Sequence, residues 1–383
     1  MRRLLTSLFV TAIVVTGLVV SLSSTEATPP SAASAFFQNT QTGNPGFQSM
    51  GRMSFGPHGL LLITDPQAAA VVAIDTSDRG PVEKLKARVD NVSALVAGSL
   101  GAKPDEVEIV DMAVNPKSGK IYLAVHRQAD KQFVLLTFSS DGAVSLFDLD
   151  RSRYVRVTLP GGNDSKVKNI TDVEFSKDRV LAAGQSSEEF ASKIYSLPLP
   201  LTHGSAADIY SAETYHVAHR RWETRAPIQS FVPLVEDGKD YIVGSFSCTP
   251  IAKFPVGGLE SGAQVKGESV VELGSGNRPL DMFTYKRNGK EWLVTNTFRF
   301  HHKRNVFGPS KWWGVRINMD YMSAKDVNEQ AARRDVQNSV GPKGVEVLEC
   351  LFGAVQVDKL SDEEIVVLRD NDGQLDLEVA QLP

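Results

Sequence analysis

An internal repeat does most to constrain how this chain can fold. A short apolar strand, a turn holding Gly or Asp, and a second apolar strand ending on a polar residue recur six times along 383 residues. The copies are Gly51-Arg-Met-Ser-Phe55 with Leu60-Leu-Leu-Ile-Thr-Asp65, Val110-Asp-Met-Ala-Val114 with Ile121-Tyr-Leu-Ala-Val-His126, and Thr171-Asp-Val-Glu-Phe175 with Val180-Leu-Ala-Ala-Gly-Gln185. Then come Gln229-Ser-Phe-Val-Pro233 with Tyr241-Ile-Val-Gly-Ser-Phe246, Leu280-Asp-Met-Phe-Thr284 with Trp292-Leu-Val-Thr-Asn296, and Gly353-Ala-Val-Gln-Val357 with Ile365-Val-Val-Leu-Arg369. Their starts lie 59, 61, 58, 51 and 73 residues apart. Fixed-period self-similarity of this kind marks an array of small supersecondary units.

The turns carry hairpin chemistry, as in Lys117-Ser-Gly119, Asp237-Gly238 and Asn288-Gly289. Further strands follow each pair, such as Val134-Leu-Leu-Thr-Phe138 and Val144-Ser-Leu-Phe147 across Asp141-Gly142. Each unit is then a meander of about four strands, too small to bury both faces of its sheet alone. Radial packing buries those faces and protects the edges. The expectation is therefore an all-β, six-bladed β-propeller spanning 36–383, with a β-sandwich as the alternative and a seventh blade only if residues 300–350 hide one. The pattern over residues 50–383 resembles propellers of the NHL-repeat, streptogramin-lyase-like and calcium-dependent lactonase groups. The resemblance implies a fold, and no functional residue of those groups maps onto this chain.

Two stretches leave the repeat. Val82, Leu85, Val89, Val92 and Leu95 stand at helical spacing, which predicts an inserted amphipathic helix over 82–98. Residues 324–340 are polar and free of Pro, which predicts a second helix or a loop. The last unit offers only three strands (353–359, 363–369 and 374–381), so the segment 36–48 is expected to supply its fourth and close the ring.

At the N-terminus, Arg2 and Arg3 precede an uncharged apolar run from Leu4 to Leu22, and Ala33-Ser-Ala35 offers a cleavage site. These features predict a signal peptide over 1–35. The alternative is an uncleaved anchor, because the run is about long enough to span a bilayer. Either places the rest of the chain outside the cytoplasm, periplasmic or secreted, with membrane contact only in the anchored case. The 41 basic and 45 acidic residues nearly balance, which argues against a nucleic-acid partner. Cys248 and Cys350 are too few for a disulfide scaffold, though the two could pair.

Chemistry is expected on the face formed by the loops after each second strand and those entering each innermost strand, which gathers His126, His219, Cys248, Arg299 and His301. His216, His219 and Glu223 have metal-ligating types at close spacing, with Glu223 also a possible base. The bland alternative is histidines bonded to loop backbone and Glu223 paired with an arginine. Cys248 is a candidate nucleophile or soft ligand, against an inert thiol or a disulfide. Arg299, His301 and His302, followed by Trp312 and Trp313, suit an anionic or ring-bearing ligand, against a solvated basic loop whose tryptophans begin a strand. Asp111, Asp172 and Asp281, with Asp65 and Asn296 nearby, offer oxygen ligands for a divalent cation, against Asp residues that cap backbone N–H groups of the adjoining blade. The function classes that follow are a binding protein for a metal ion, small molecule or protein, a metal-dependent hydrolase or oxidoreductase using a transition metal or calcium, and an interaction scaffold. No nucleophile-elbow, Walker or dinucleotide-binding signature is present.

Overall fold

A computed structural model of the protein describes residues 35–162, 165–216, 220–247, 250–273, 276–300, 310–323 and 345–383. Two short strands, Phe37–Gln38 (β1) and Gln41–Thr42 (β2), precede Met53–Gly56 (β3), Leu60–Asp65 (β4) and Ala70–Asp75 (β5). One helix, Val92–Ser99 (α1), leads into Val107–Val114 (β6), Ile121–Arg127 (β7), Gln132–Phe138 (β8) and Val144–Leu146 (β9). Arg153–Thr158 (β10) follows, then Val167–Ser176 (β11), Arg179–Ser186 (β12), Ser192–Pro198 (β13), Leu201–Thr202 (β14), Asp208–His216 (β15) and Arg221–Glu223 (β16). A fourth run holds Ile228–Glu236 (β17), Lys239–Phe246 (β18), Pro250–Pro255 (β19) and Gln264–Glu272 (β20). A fifth holds Asn277–Arg287 (β21), Lys290–Arg299 (β22), Trp312–Asn318 (β23) and Val345–Val347 (β24). Ala354–Lys359 (β25), Glu364–Asn371 (β26) and Gln374–Gln381 (β27) end the chain.

Every strand pair of the sequence repeat falls on an antiparallel hairpin, β3/β4, β6/β7, β11/β12, β17/β18, β21/β22 and β25/β26. The turns explain why. Asp237-Gly238 and Asn288-Gly289 have positive φ at both residues, 50° and 74°, then 52° and 72°, as a tight hairpin requires.

Hydrogen bonding groups these strands into four separate blade-like sheets and one of nine strands, beside the β1/β14 pair. The count of separate sheets therefore differs from six. The reason is local: the outer strands β15 and β20 pair in parallel over Ser211–Thr214, which fuses the third and fourth meanders along their rims. The innermost strands β3, β6, β25, β21, β17 and β11 pack each on the next in that order, and β11 returns to β3. Among the described residues the core divides into six clusters, each between two neighbouring meanders. Leu60, Leu62 and Val155 meet Val173 and Tyr195 in one such seam, and Tyr285, Trp292 and Val294 meet Ile365 and Val367 in another. Each such side chain, fully buried, contributes about 1.5–3 kcal/mol.

The order of meanders around the ring is not the order along the chain. After β5 the chain builds β6 to β9 on one side of the first sheet. It then returns to lay β10 beside β5 as that sheet's outer strand. The second meander is thus inserted within the first sheet, and β11 starts on the other flank.

Two expectations need correction here. The helix spans Val92–Ser99 and not 82–98, because residues before it run extended along the outer edge of the last sheet. Val89 and Leu377 exchange both backbone hydrogen bonds, at 2.8 and 2.9 Å, and Asn91 then caps the helix by accepting from the Ala94 N–H. The same pairing overturns closure by 36–48. β1 pairs with β14 and β2 with β10, while the partner of β27 is the Val89 segment. The stretch 324–340 lies outside the described residues.

Candidate functional site

The six innermost strands bring one register position to the channel: Arg52, Asp111, Asp172, Ser230, Asp281 and Gln356. In β6, β11, β17, β21 and β25 the ladder slips at or just before this position, and a bulge of that kind re-aims the side chain beside it. Three of the aspartates bind their neighbours the same way. The Asp111, Asp172 and Asp281 carboxylates accept from the backbone N–H of Met53 (2.7 Å), Phe231 (2.8 Å) and Val357 (3.0 Å), in each case on the next strand round. Asp358 repeats the device two residues further on, accepting from Val114 N–H at 2.6 Å. The recurrent Asp thus ties strand to strand where no ladder joins them.

Arg52 breaks the series. Its Nη1 donates to Asp111 Oδ1 (2.6 Å) and to Asp281 Oδ1 (3.1 Å), and Nη2 donates to the Leu280 carbonyl. β21 lies three strands from β3 in either direction round the ring, so this side chain crosses the channel. Its backbone is fixed by exchange with Thr64, since Thr64 N–H donates to the Arg52 carbonyl at 2.9 Å. Burial works against the guanidinium charge, but Asp111, Asp281 and Asp172 outweigh it and hold Arg52 protonated.

On the hairpin side of Arg52 lies a chamber of about 400 Å³. It is lined by residues of all six innermost strands, among them Ser54, Glu174, Val232, Phe283, Thr284 and Asp358, and reaches Pro116 and Leu360 beyond the ends of β6 and β25. Ser54, Glu174 and Asp358 share the register two residues past the Arg52 tier. Glu174, on β11, and Asp358, on β25, again stand on opposite strands. The Asp358 carboxylate is committed to the N–H groups of Val114 and Lys359. Glu174 has no hydrogen-bond partner among the described residues. Ser54 is 7% exposed, and its hydroxyl also lacks one.

Five carboxyl groups and one guanidinium line this stretch of the channel, and the protonation of the acids reflects that crowding. Burial is the largest influence on each. It pushes Asp172 and Asp358 up to about 7, against the pull of Arg52 on the first and of backbone N–H groups on the second. Burial, then the neighbouring Asp172, Asp358 and Asp111, raise Glu174 well above the usual carboxylate range. Asp111 and Asp281 are raised too, by burial that Arg52 only partly offsets.

The residues singled out from sequence divide sharply. Asp111, Asp172 and Asp281 come together in the channel. His216 does not join them: it is buried at the end of outer strand β15, its Nε2 3.3 Å from Glu272 Oε2. Glu223 sits on β16, outside β15, where its Oε1 closes a turn by accepting from the N–H groups of Arg225 (2.7 Å) and Ala226 (2.9 Å). Burial opposes that charge, yet these donors hold the carboxylate below its ordinary range. Arg299 lies over the Trp313 ring at 3.8 Å. Trp312 and Trp313 begin β23, and the Trp313 Nε1–H reaches Asn277 Oδ1 at 2.9 Å. Asp65 and Asn296 are also structural, the first holding the N–H groups of Gln48, Ser49 and Ala68, the second bridging Asp281 N–H and the Ala354 carbonyl. His126 stacks on Phe133 at 4.5 Å. Cys350 is a free thiol whose pKa burial raises. His219, Cys248, His301 and His302 lie outside the described residues. Among those described, no group of three or more His, Cys, Asp or Glu side chains is arranged to hold a metal ion. The sequence reading missed Arg52, Glu174 and Asp358. Each was within reach, because each is a charge at a channel register of the repeat.

An all-β ring of radially packed sheets around a lined channel makes this a β-propeller-like protein. Solved structures similar to it include the PQQ-bound aldose sugar dehydrogenase of Streptomyces coelicolor, 14% identical over 89% of this chain and 97% of that one, with a TM-score of 0.29. A yeast heterotrimeric nucleoporin complex is similar at 9% identity over 89% of this chain and 99% of that one, TM-score 0.38. The Swd1 β-propeller domain from Myceliophteria thermophila is similar at 11% over 87% and 83%, TM-score 0.32. None of these likenesses assigns an activity. No family model and no curated protein matches the chain.

Proposed function

We propose that this protein is an exported six-bladed β-propeller that binds a small molecule in the hairpin-side chamber of its channel. The chamber carries the reading: about 400 Å³, walled by all six innermost strands, with the buried Ser54 hydroxyl left without a hydrogen-bond partner among the described residues. Preformed concave sites with a few placed polar groups are where small ligands bind. The closed order of innermost strands supports six blades, with the nine-stranded sheet counted as two blades joined at the rim. The signal-like segment supports export, with 1–35 removed and 36–383 as one domain.

The chamber faces the hairpin ends, opposite the loop-rich face expected from the sequence, because Arg52 and the Asp tier occupy the channel on the other side. The test is a thermal-shift screen of small molecules on residues 36–383, repeated on Thr284→Trp, which puts a larger side chain on the chamber wall. Compounds that stabilise the parent and not the variant support the reading, and compounds that stabilise both equally refute it. A second reading, a hydrolase at the same chamber, draws on Glu174 alone: a buried carboxyl raised well above its usual range suits a general acid.

A further inference from the structure

The chemistry of the chamber wall goes further than its existence and, resting on the reading above, names the class of its ligand. We infer that the chamber receives an organic cation, an ammonium or amidinium group held between Glu174 and Asp358 with its carbon body against the apolar wall.

Charge decides the sign. Five carboxyl groups, Asp111, Asp172, Glu174, Asp281 and Asp358, meet a single guanidinium. Arg52 is already spent on Asp111, Asp281 and the Leu280 carbonyl, so it presents no fork to an incoming anion. Lys359, also on the wall, pairs with Asp362 at 2.6 Å. An anion would enter a site already short of positive charge.

Position decides the kind of cation. Glu174 and Asp358 stand on opposite strands, three apart round the ring, with Met112, Val114, Val232 and Phe283 among the wall residues. Both Asp358 oxygens take backbone N–H groups, and no three ligating side chains converge among the described residues. A hard metal ion needs several oxygens around one point. An ammonium needs a few acceptors in separate directions and tolerates apolar flanks. Ser54 supplies the independent sign of a missing partner, since its buried hydroxyl, which can accept from an ammonium, has no hydrogen-bond partner among the described residues.

Proton linkage supports the assignment. Glu174 is held well above the usual carboxylate range by burial, Asp172, Asp358 and Asp111. A cation seated beside it favours its ionised form, and the proton passes to buffer.

The experiment is calorimetric titration of residues 36–383 with 1,6-diaminohexane and agmatine. Hexan-1-ol, hexanoate and Ca²⁺ serve as neutral, anionic and metal counterparts. The expected result is binding of the two cations only, with a heat that changes between buffers of different ionisation enthalpy. Glu174→Gln should weaken it at least tenfold, and Ser54→Ala severalfold, with melting temperatures confirming that both fold. Equal binding of hexanol or hexanoate, binding of Ca²⁺ alone, or an undiminished Glu174→Gln overturns the cation assignment. Silence from both cations overturns it too, and if the screen on Thr284→Trp still finds chamber ligands, the chamber reading survives that failure.

Discussion

Arg52 and Asp281 face each other from opposite walls of the channel, 3.1 Å apart and 229 residues apart in sequence. A guanidinium spanning a ring of strands holds it at a fixed width, and it neutralises charge that the Asp tier concentrates.

Arg52→Met should therefore cost about 3 kcal/mol of stability, because it strands Asp111 and Asp281 without their cation. Arg52→Lys should recover less than half of that, since one ammonium cannot reach both acids and the Leu280 carbonyl. Urea unfolding measures each. Adding Asp281→Asn to Arg52→Met should restore part of the loss, and simple additivity of the two would show that they are not coupled.

Stability should fall as pH rises from 5 to 8. Asp172 and Asp358 titrate near 7 in the folded protein, and Glu174 is raised well above its usual range, whereas an unfolded chain releases these protons near pH 4. The folded state then binds more protons across that window, so unfolding becomes easier with each proton lost. Melting curves should show a decline of several degrees, and Glu174→Gln should flatten it. The opposite limb belongs to Asp376. Burial opposes its charge, but Asn91 N–H, Gln374, Asn371 and Arg88 hold it below its ordinary value, so its contribution is lost as pH falls through that lowered value.

Closure should depend on the Val89 segment. Asp376 is fully buried beneath it, accepting from Asn91 N–H at 2.8 Å and from Arg88. Asp376→Ala should cost about 2 kcal/mol or more, as expected when a buried charged acceptor leaves its donors unmet. Removing residues 36–42 should cost less, because β1 and β2 form only two-residue pairings. Comparing the two melting temperatures decides which segment latches the ring.

Glu223→Gln should leave chamber binding within about twofold of the parent, since a tenfold change needs about 1.4 kcal/mol and Glu223 lies on an outer strand. A loss matching Glu174→Gln would move the site toward β16, beside the residues the sequence grouped as His216, His219 and Glu223.

The hairpins were legible because Asp237-Gly238 and Asn288-Gly289 can do little else, and because strand alternation is a local signal. The Asp tier was legible as a register repeated at 111, 172 and 281, and its capping role followed from recurrence. Arg52 and Glu174 escaped because each occurs once, in units that otherwise look alike. The closing strand escaped because pairing Val89 with Leu377 joins distant residues that no local pattern links. β10 escaped for a similar reason, since Arg153–Thr158 alternates as any outer strand would and nothing in it says which sheet it completes. Of the spaced histidines, His216 ends strand β15 away from the channel, and His219 lies outside the described residues.

The pairing of Val89 with Leu377 also sets a timetable. Arg88 and Asp376, which flank it, are 288 residues apart, so a chain emerging from the ribosome or threading through an export channel exposes the Val89 edge long before its mate exists. The first sheet waits as well, since β10 arrives only after the whole second meander. Unpaired edges invite wrong strands, and slow, long-range pairings prolong the invitation. For this protein the hazardous interval is the one before its last strand appears, and a holdase that shields a bare strand edge would serve it better than one that covers greasy surface.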